Sequence, residues 1–290
     1  VEQPVRASIL ATLVGCALTV SLGCVEPTQR AVIAVPAART VGEDGRTLRL
    51  LPPFELVEQH DAVVRIVSDV TCTGTLIADD RVLTAHHCVA ARDEHGRVVN
   101  ANKAPEEIQI ELGGDYLPWG EVRVRAIVAP DCGYASGDGD IAILVLSRHL
   151  VGMPIYAPRI ESAPEKGDPM LIFGFGRCAL SRSGIHRVLR DENDTIRVAD
   201  VSAGHFRAVA SVCPGDSGGP VYSPLKGDLI GVVSASVMDG DERTKDDSIF
   251  TRVDVWPQIF SAAHEISLGA SPSELPPYGD CRAPARAPSR

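Results

Sequence analysis

One serine in this sequence is framed for attack on a carbonyl carbon. It stands in the string Cys213-Pro214-Gly215-Asp216-Ser217-Gly218-Gly219-Pro220. A serine hydroxyl is barely nucleophilic at neutral pH, so it needs a base beside it and donors for the oxyanion it creates. Glycines let a backbone turn tightly and approach a substrate closely. The N–H groups of Gly215 and Ser217 can then face a developing oxyanion. A bare Gly-x-Ser would read equally well as a turn between strands. The full Gly-Asp-Ser-Gly-Gly-Pro string, running into the β-type pair Val221-Tyr222, is far more specific.

A base for that serine must take a proton and return it, which suits an imidazole with its ordinary pKa of about 6.5. Leu83-Thr84-Ala85-His86-His87-Cys88 offers two, at the end of a β-type run. Adjacent histidines invite a metal reading, but neighbours on an extended chain point to opposite sides. A carboxylate that holds the imidazole in one tautomer completes the set. Gly137-Asp138-Gly139-Asp140-Ile141-Ala142-Ile143-Leu144 offers Asp138, in a glycine-rich turn, and Asp140, at the start of an apolar run. A buried carboxylate needs a partner. Asp138 reads as a solvated loop residue.

These residues must be positioned by strands. Val63–Val67, Ile108–Leu112 and Val122–Val128 show β-type patterning, and Arg123 and Arg125 mark a wet face. Thr73–Ile77 and Arg81–Thr84 predict a hairpin around Asp79-Asp80. Ile141–Leu146 is continuously apolar, as expected for a strand buried on both faces. Further runs are Met170–Phe173, Leu229–Val233 and Ser248–Val253. Val255, Ile259, Phe260 and Ala263 share one helical face, with Asp254 as candidate N-cap and Pro257 early in the segment. Many short strands and one late helix predict an all-β barrel or sandwich.

The order His, Asp, Ser, with these local strings, resembles the trypsin/chymotrypsin family over roughly residues 60–268. That resemblance implies two antiparallel six-stranded β-barrels, the active site between them and a C-terminal helix. It implies a serine endopeptidase with His87, Asp140 and Ser217 as catalytic triad, and with Gly215 and Ser217 as oxyanion donors. His87 is preferred over His86 because the family's histidine immediately precedes a cysteine. Gly174-Phe175-Gly176 is similar to the family's Gly-Trp-Gly. Ser234 matches a serine that supports the acid and lines the substrate channel. Thr251-Arg252-Val253 and Trp256 match the end of the last strand and the start of the helix. Cys72–Cys88 matches the bridge beside the catalytic histidine. Cys178 falls in the loop expected next to Cys213, implying a Cys178–Cys213 bridge, and Cys132–Cys281 is what remains.

Two features depart from the family. Its members free an amino terminus, usually on Ile-Val-Gly-Gly, to pair with the aspartate before the serine, here Asp216. The nearest string is Arg39-Thr40-Val41-Gly42-Glu43; otherwise Asp216 must find another partner, or the enzyme is made already active. The pocket-base position, six residues before the serine, holds Ser211 rather than an acid. Val212 adds apolar surface, and Ser236 and Ser248 fall on the pocket walls where large-pocket members have glycine. Small or medium uncharged residues are therefore the expected cleavage sites. The loop acids Asp239, Asp241, Asp246 and Asp247 are the residues that could overturn this by turning inward.

The bulk properties agree with an exported globular enzyme. The chain has 290 residues, 44% hydrophobic and 23% charged, with a net charge of −10. No basic stripe is present, which argues against nucleic acid. The eight cysteines form no CxxC pair, so neither a zinc site nor any other metal or cofactor is expected. Arg6 followed by the apolar run 7–23 reads as a signal peptide. Cys16 and Cys24 each follow a glycine in a lipobox-like string. Cys24, where the apolar run is complete, is the expected lipidation site, with plain cleavage as the alternative.

The expected organisation is a signal peptide at 1–24, a linker or propeptide at 25–58, the protease domain at 59–268 and a Pro/Arg-rich tail at 269–290. A bacterial exported monomer acting on proteins or peptides follows. It would be held at the periplasm, outer membrane or cell surface by its lipid, or secreted. The competing reading is a catalytically silent protease fold kept for binding.

Overall fold

Alternation along the chain explains the first half of the molecule. In Gly120–Val128, Val122, Val124 and Ala126 are buried while Glu121, Arg123 and Arg125 face out. That is the one-wet-face pattern of a strand on a barrel wall. Every residue of Ala142–Leu146 is buried. The computed structural model describes residues 39–41, 45–50, 59–113, 118–130, 138–177, 187–190, 196–236 and 246–275.

Six antiparallel strands close the first barrel. They are β1 (Val63–Val67), β2 (Thr71–Ala78), β3 (Arg81–Thr84), β4 (Gln109–Leu112), β5 (Gly120–Val128) and β6 (Ala142–Leu146). Their order around the barrel is β6-β3-β2-β1-β4-β5, and β5 pairs back onto β6. The hairpin around Asp79-Asp80 is present, with Thr75 opposite Leu83. The interior is filled by Val64, Ile66, Leu76, Val82, Ile110 and Leu144, which share one face in the strand register and are all essentially inaccessible to solvent.

The second half is an eight-stranded antiparallel sheet around its own core. Its strands are β7 (Pro169–Gly174), β8 (Val188–Arg190), β9 (Ile196–Arg197), β10 (Asp200–Val201), β11 (His205–Ala210), β12 (Pro220–Ser223), β13 (Asp228–Ser236) and β14 (Asp246–Arg252). The order is β8-β7-β12-β13-β14-β11-β10, with β9 also on β7. Met170, Ile172, Phe206, Val221, Val233 and Phe250 pack inside it. Among the described residues this half is a barrel-like sheet, with β8 and β9 both paired to β7 and β10 at the far edge beside β11.

Helix α1 (Pro257–Ser267) lies where expected, and its Ile259, Phe260, Ala263 and Ile266 join the core of the first barrel. Its N-cap is Trp256, without a side-chain cap, not Asp254. Both Asp254 carboxylate oxygens are instead taken by the Arg252 guanidinium, at 3.0 and 2.6 Å. Pro257 opens the first turn, where its missing N–H costs nothing. Two short strands, Arg39–Val41 and Thr47–Leu50, fall within the stretch 25–58 and pair with His149–Val151 in a separate sheet. Among the described residues no helix is long and apolar enough to cross a membrane.

Candidate active site

Strand pairing delivers the histidine to the acid. Thr84 at the end of β3 lies opposite Ala142 at the start of β6. The chain leaving β3 therefore runs beside the chain entering β6. His86–Cys88 forms one 3-10 turn just past β3, not an extension of the strand. The His87 peptide N–H donates to Asp140 Oδ1 at 2.9 Å, and His87 Nδ1 lies 2.8 Å from Oδ2. A carboxylate only accepts, so Nδ1 carries the proton between them and Nε2 is the acceptor of the neutral ring.

Ser234 Oγ adds a third bond, donating to Asp140 Oδ2 at 2.5 Å. Ser234 sits where the β13–β14 register slips between Val233 and Ala235, and such bulges re-aim a side chain. Asp140 is only 2% exposed, so these donors replace its lost water. His86 faces the other way, with Nε2 2.8 Å from Asn102 Oδ1. Asp138 is exposed but not merely solvated: it pairs with His205 Nδ1 at 2.9 Å.

The serine turn is brought to the same corner. Cys72 and Cys88 are disulfide-bonded, as expected, tying β2 to the histidine turn. The Cys88 sulfur lies 3.8 Å from His87 Nε2 and 3.6 Å from the Ser217 carbonyl. Cys72, His87 and Cys88 crowd together like a metal site, but the bridge occupies both sulfurs. Thr73 on β2 then clamps the turn. Its N–H donates to the Ser217 carbonyl at 2.9 Å, and its hydroxyl donates to the Gly215 carbonyl at 2.7 Å.

The Pro214 carbonyl accepts the Arg177 N–H at 2.9 Å. Carbonyl and N–H point oppositely across a trans peptide, so this bond fixes where the Gly215 N–H points. Both peptides flanking Gly215 are thereby held, at φ +104°. Among the described residues the N–H groups of Gly215 and Ser217 meet no protein acceptor. Gly218 has φ +80°, and a Cβ there would lie 2.1 Å from Thr84 Oγ1 and 2.4 Å from the Thr73 carbonyl.

A base oriented by a buried acid, a serine turn beside it and two unengaged N–H groups can carry out acyl transfer. The trypsin family model matches residues 57–259. The chain belongs to the trypsin family of serine endopeptidases. It is similar to the vitellin-degrading protease of Bombyx mori, 28% identical over 63% of this chain and 72% of the relative. It is also similar to human chymotrypsin-like elastase family member 3B, 28% identical over 67% of this chain and 79% of the relative. The solved structure of neuropsin, a serine protease expressed in mouse brain, shares the fold. Its TM-score is 0.55 at 17% identity, covering 72% of this chain and 96% of that one.

The residues expected to line the substrate pocket fall on neighbouring strands or just past their ends. Ser236 pairs with Ser248 across β13 and β14, and Ser211 follows Ala210, which pairs with Asp246. Ser211, Val212, Ser234 and Ser248 are buried. Asp247, one of the loop acids, turns outward to Arg207 Nη1 at 2.8 Å and is about half exposed. Asp239 and Asp241 lie outside the described residues. Cys213 is disulfide-bonded. Cys178, its expected partner, and Cys24, Cys132 and Cys281 lie outside the described residues.

Two residues at the site went unread in the sequence. One is Thr73. The other is Arg190 on β8, whose guanidinium reaches the buried Asp216. Glycine at 174 and 176 makes room for that carboxylate, since a Cβ at either would fall within 2.6 Å of it.

Proposed function

We propose that the chain hydrolyses peptide bonds through an acyl-enzyme on Ser217. Ser217 Oγ attacks the scissile carbonyl while its proton passes to His87 Nε2. Asp140 keeps the ring oriented and stabilises the imidazolium. The N–H groups of Gly215 and Ser217 receive the oxyanion. His87 then returns the proton to the leaving amine, and water repeats the sequence on the acyl ester. The observation that carries this reading is the pair of bonds from His87 to one buried carboxylate, through N–H and Nδ1, which leaves Nε2 for the serine. Labelling with a fluorophosphonate tests it. The wild-type chain should take up one equivalent, and Ser217→Ala and His87→Ala should take up none. Labelling retained by Ser217→Ala would assign the nucleophile elsewhere, and a wild-type chain unlabelled both before and after cleavage at Arg39 would favour a silent binding protein.

The proposed cleavage sites follow small or medium uncharged residues such as Ala, Val, Leu or Met. A buried charged side chain would need a counter-charge, and Ser211, Val212, Ser236 and Ser248 bring none. One methylene more or less in such a pocket is worth only about 1–3 kcal/mol, so selectivity is broad. Profiling with a mixed peptide library checks this, and dominant cleavage after Arg or Lys would refute it. We also propose export with lipid on Cys24, on the strength of the apolar run and lipobox-like string alone. The mass of the mature amino terminus decides that point.

A further inference from the structure

Asp216 carries a charge into a place with no water. It is fully inaccessible, and a carboxylate there must be paired or it neutralises. Its Oδ1 accepts the Gly176 N–H at 2.8 Å and Arg190 Nη2 at 3.0 Å. Its Oδ2 accepts the Cys213 N–H at 2.9 Å. Arg190 Nε lies 2.8 Å from the same Oδ2, at ion-pair distance although its N–H is not aligned for a hydrogen bond. Arg190 Nη2 also reaches the Gly176 carbonyl at 2.5 Å. The arginine side chain is itself only 4% exposed, so this guanidinium and this carboxylate answer each other.

The position of Arg190 is set by the sheet. It pairs with Ile172 across β7 and β8, two residues before Gly174. The segment that could have supplied a freed amine is engaged elsewhere: Thr40 is paired with Arg49 in the sheet that also takes in His149–Val151. Asp216 lies between Gly215 and Ser217, whose N–H groups face the oxyanion in the reading above. Whatever anchors its side chain therefore fixes the turn between those two donors.

We propose that Arg190 is a positioning residue. It supplies from inside the chain the positive charge that holds Asp216, so the oxyanion-accepting turn stands assembled without a newly freed amino terminus. This rests on the peptidase reading of Ser217. Two consequences follow. The chain is active with its Arg39–Thr40 bond intact, and loss of Arg190 removes turnover rather than substrate affinity.

The experiment uses the full chain, verified by mass as uncut at Arg39, beside the same chain after limited tryptic cleavage there. Both should titrate fully with fluorophosphonate. In the uncut chain Arg190→Gln should lower kcat by about 100-fold or more, the effect of losing one oxyanion donor, with KM changed by less than about 3-fold. Arg190→Lys, which restores the charge, should recover at least about a tenth of the wild-type kcat. An uncut chain that stays inert until cleaved overturns the inference and leaves the peptidase reading standing. A chain inert in both forms overturns the peptidase reading and this one with it. Arg190→Gln with near-normal kcat overturns Arg190 alone. Should Arg190→Gln not fold, Arg190→Lys and the uncut titration still decide, since an inactive folded Arg190→Lys beside an inert uncut chain refutes the assignment.

Discussion

Replacing Thr73 by valine keeps the shape of the side chain and removes its hydroxyl. That hydroxyl serves two groups: it donates to the Gly215 carbonyl at 2.7 Å and accepts the Phe175 N–H at 3.0 Å. Thr73 is fully buried, so neither partner can turn to water instead. Each orphaned group costs about 1–3 kcal/mol, for a combined loss of roughly 2–6 kcal/mol. Part of this falls on global stability through Phe175. The share at Gly215 acts on the turn, because the remaining clamp from the Thr73 N–H reaches only the Ser217 carbonyl. If about half loosens the turn, kcat falls about 5- to 140-fold at 1.4 kcal/mol per decade. Steady-state hydrolysis of a chromogenic peptide gives kcat and KM, and urea unfolding gives stability. Thr73→Ser keeps the hydroxyl and should hold kcat within about 3-fold of wild type. A Thr73→Val protein that is less stable yet turns over normally would show that the turn holds without the hydroxyl and would refute a role for Thr73 in turnover.

Ser234→Ala removes the 2.5 Å bond to Asp140; a hydrogen bond to a charged group is worth about 1.5–3 kcal/mol, so kcat/KM should fall about 10-fold or more with the fold intact by circular dichroism. Gly218→Ala forces a Cβ against Thr84 and the Thr73 carbonyl at a positive φ, and strain with overpacking should cost about 3 kcal/mol or more, seen as a lowered melting temperature or loss of soluble protein. Asp69 braces the loop after His87. Burial pushes its carboxyl up, but hydrogen bonds from Lys103 and Ser68 and the charges of Lys103 and Arg92 outweigh this and hold it below the usual carboxylate range. A depressed carboxylate stabilises above its unfolded pKa of about 3.9 and stops doing so as pH falls through the folded value. Asp69→Asn should therefore lower the melting temperature at pH 7, and the gap from wild type should close in strong acid; a gap that persists unchanged would refute the ion-pair account.

The residues assigned to the proposed mechanism were legible because each sits in a short string that states its chemistry. Ser217 announces itself through its glycines. His87 and Asp140 announce themselves through the strands they border, and the resemblance settled which histidine and which aspartate to prefer. Residues that act by reaching across the chain left no local mark. Thr73 reads as one more β-branched residue in a strand, yet its partner Gly215 is 142 positions away. Arg190 lies in a stretch with no motif, and only the pairing of β7 with β8 carries it to Asp216. Strand β11 also went unread. Its buried Phe206, Ala208 and Ala210 alternate with Arg207 and the exposed Val209, so an apolar residue on the wet face blurred the period. Asp254 misled as a helix cap because Arg252, two residues earlier, offered its carboxylate a better partner.

The long-range bonds at the site run in both directions across the seam between the two sheets. Asp140 borders the first barrel and is held by Ser234 of the second sheet. Gly215 and Ser217 precede β12 of the second sheet and are held by Thr73 of the first barrel. Each half thus fixes a functional element that the other half carries. Neither half alone contains a complete site, and the geometry of the His87–Ser217 corner depends on how the two are docked. Trimming a polar group that reaches across this seam without crowding it, as in Ser234→Ala, should therefore cost turnover before it costs stability, whereas substitutions inside either core, at Ile66 or Phe250 for example, should do the reverse.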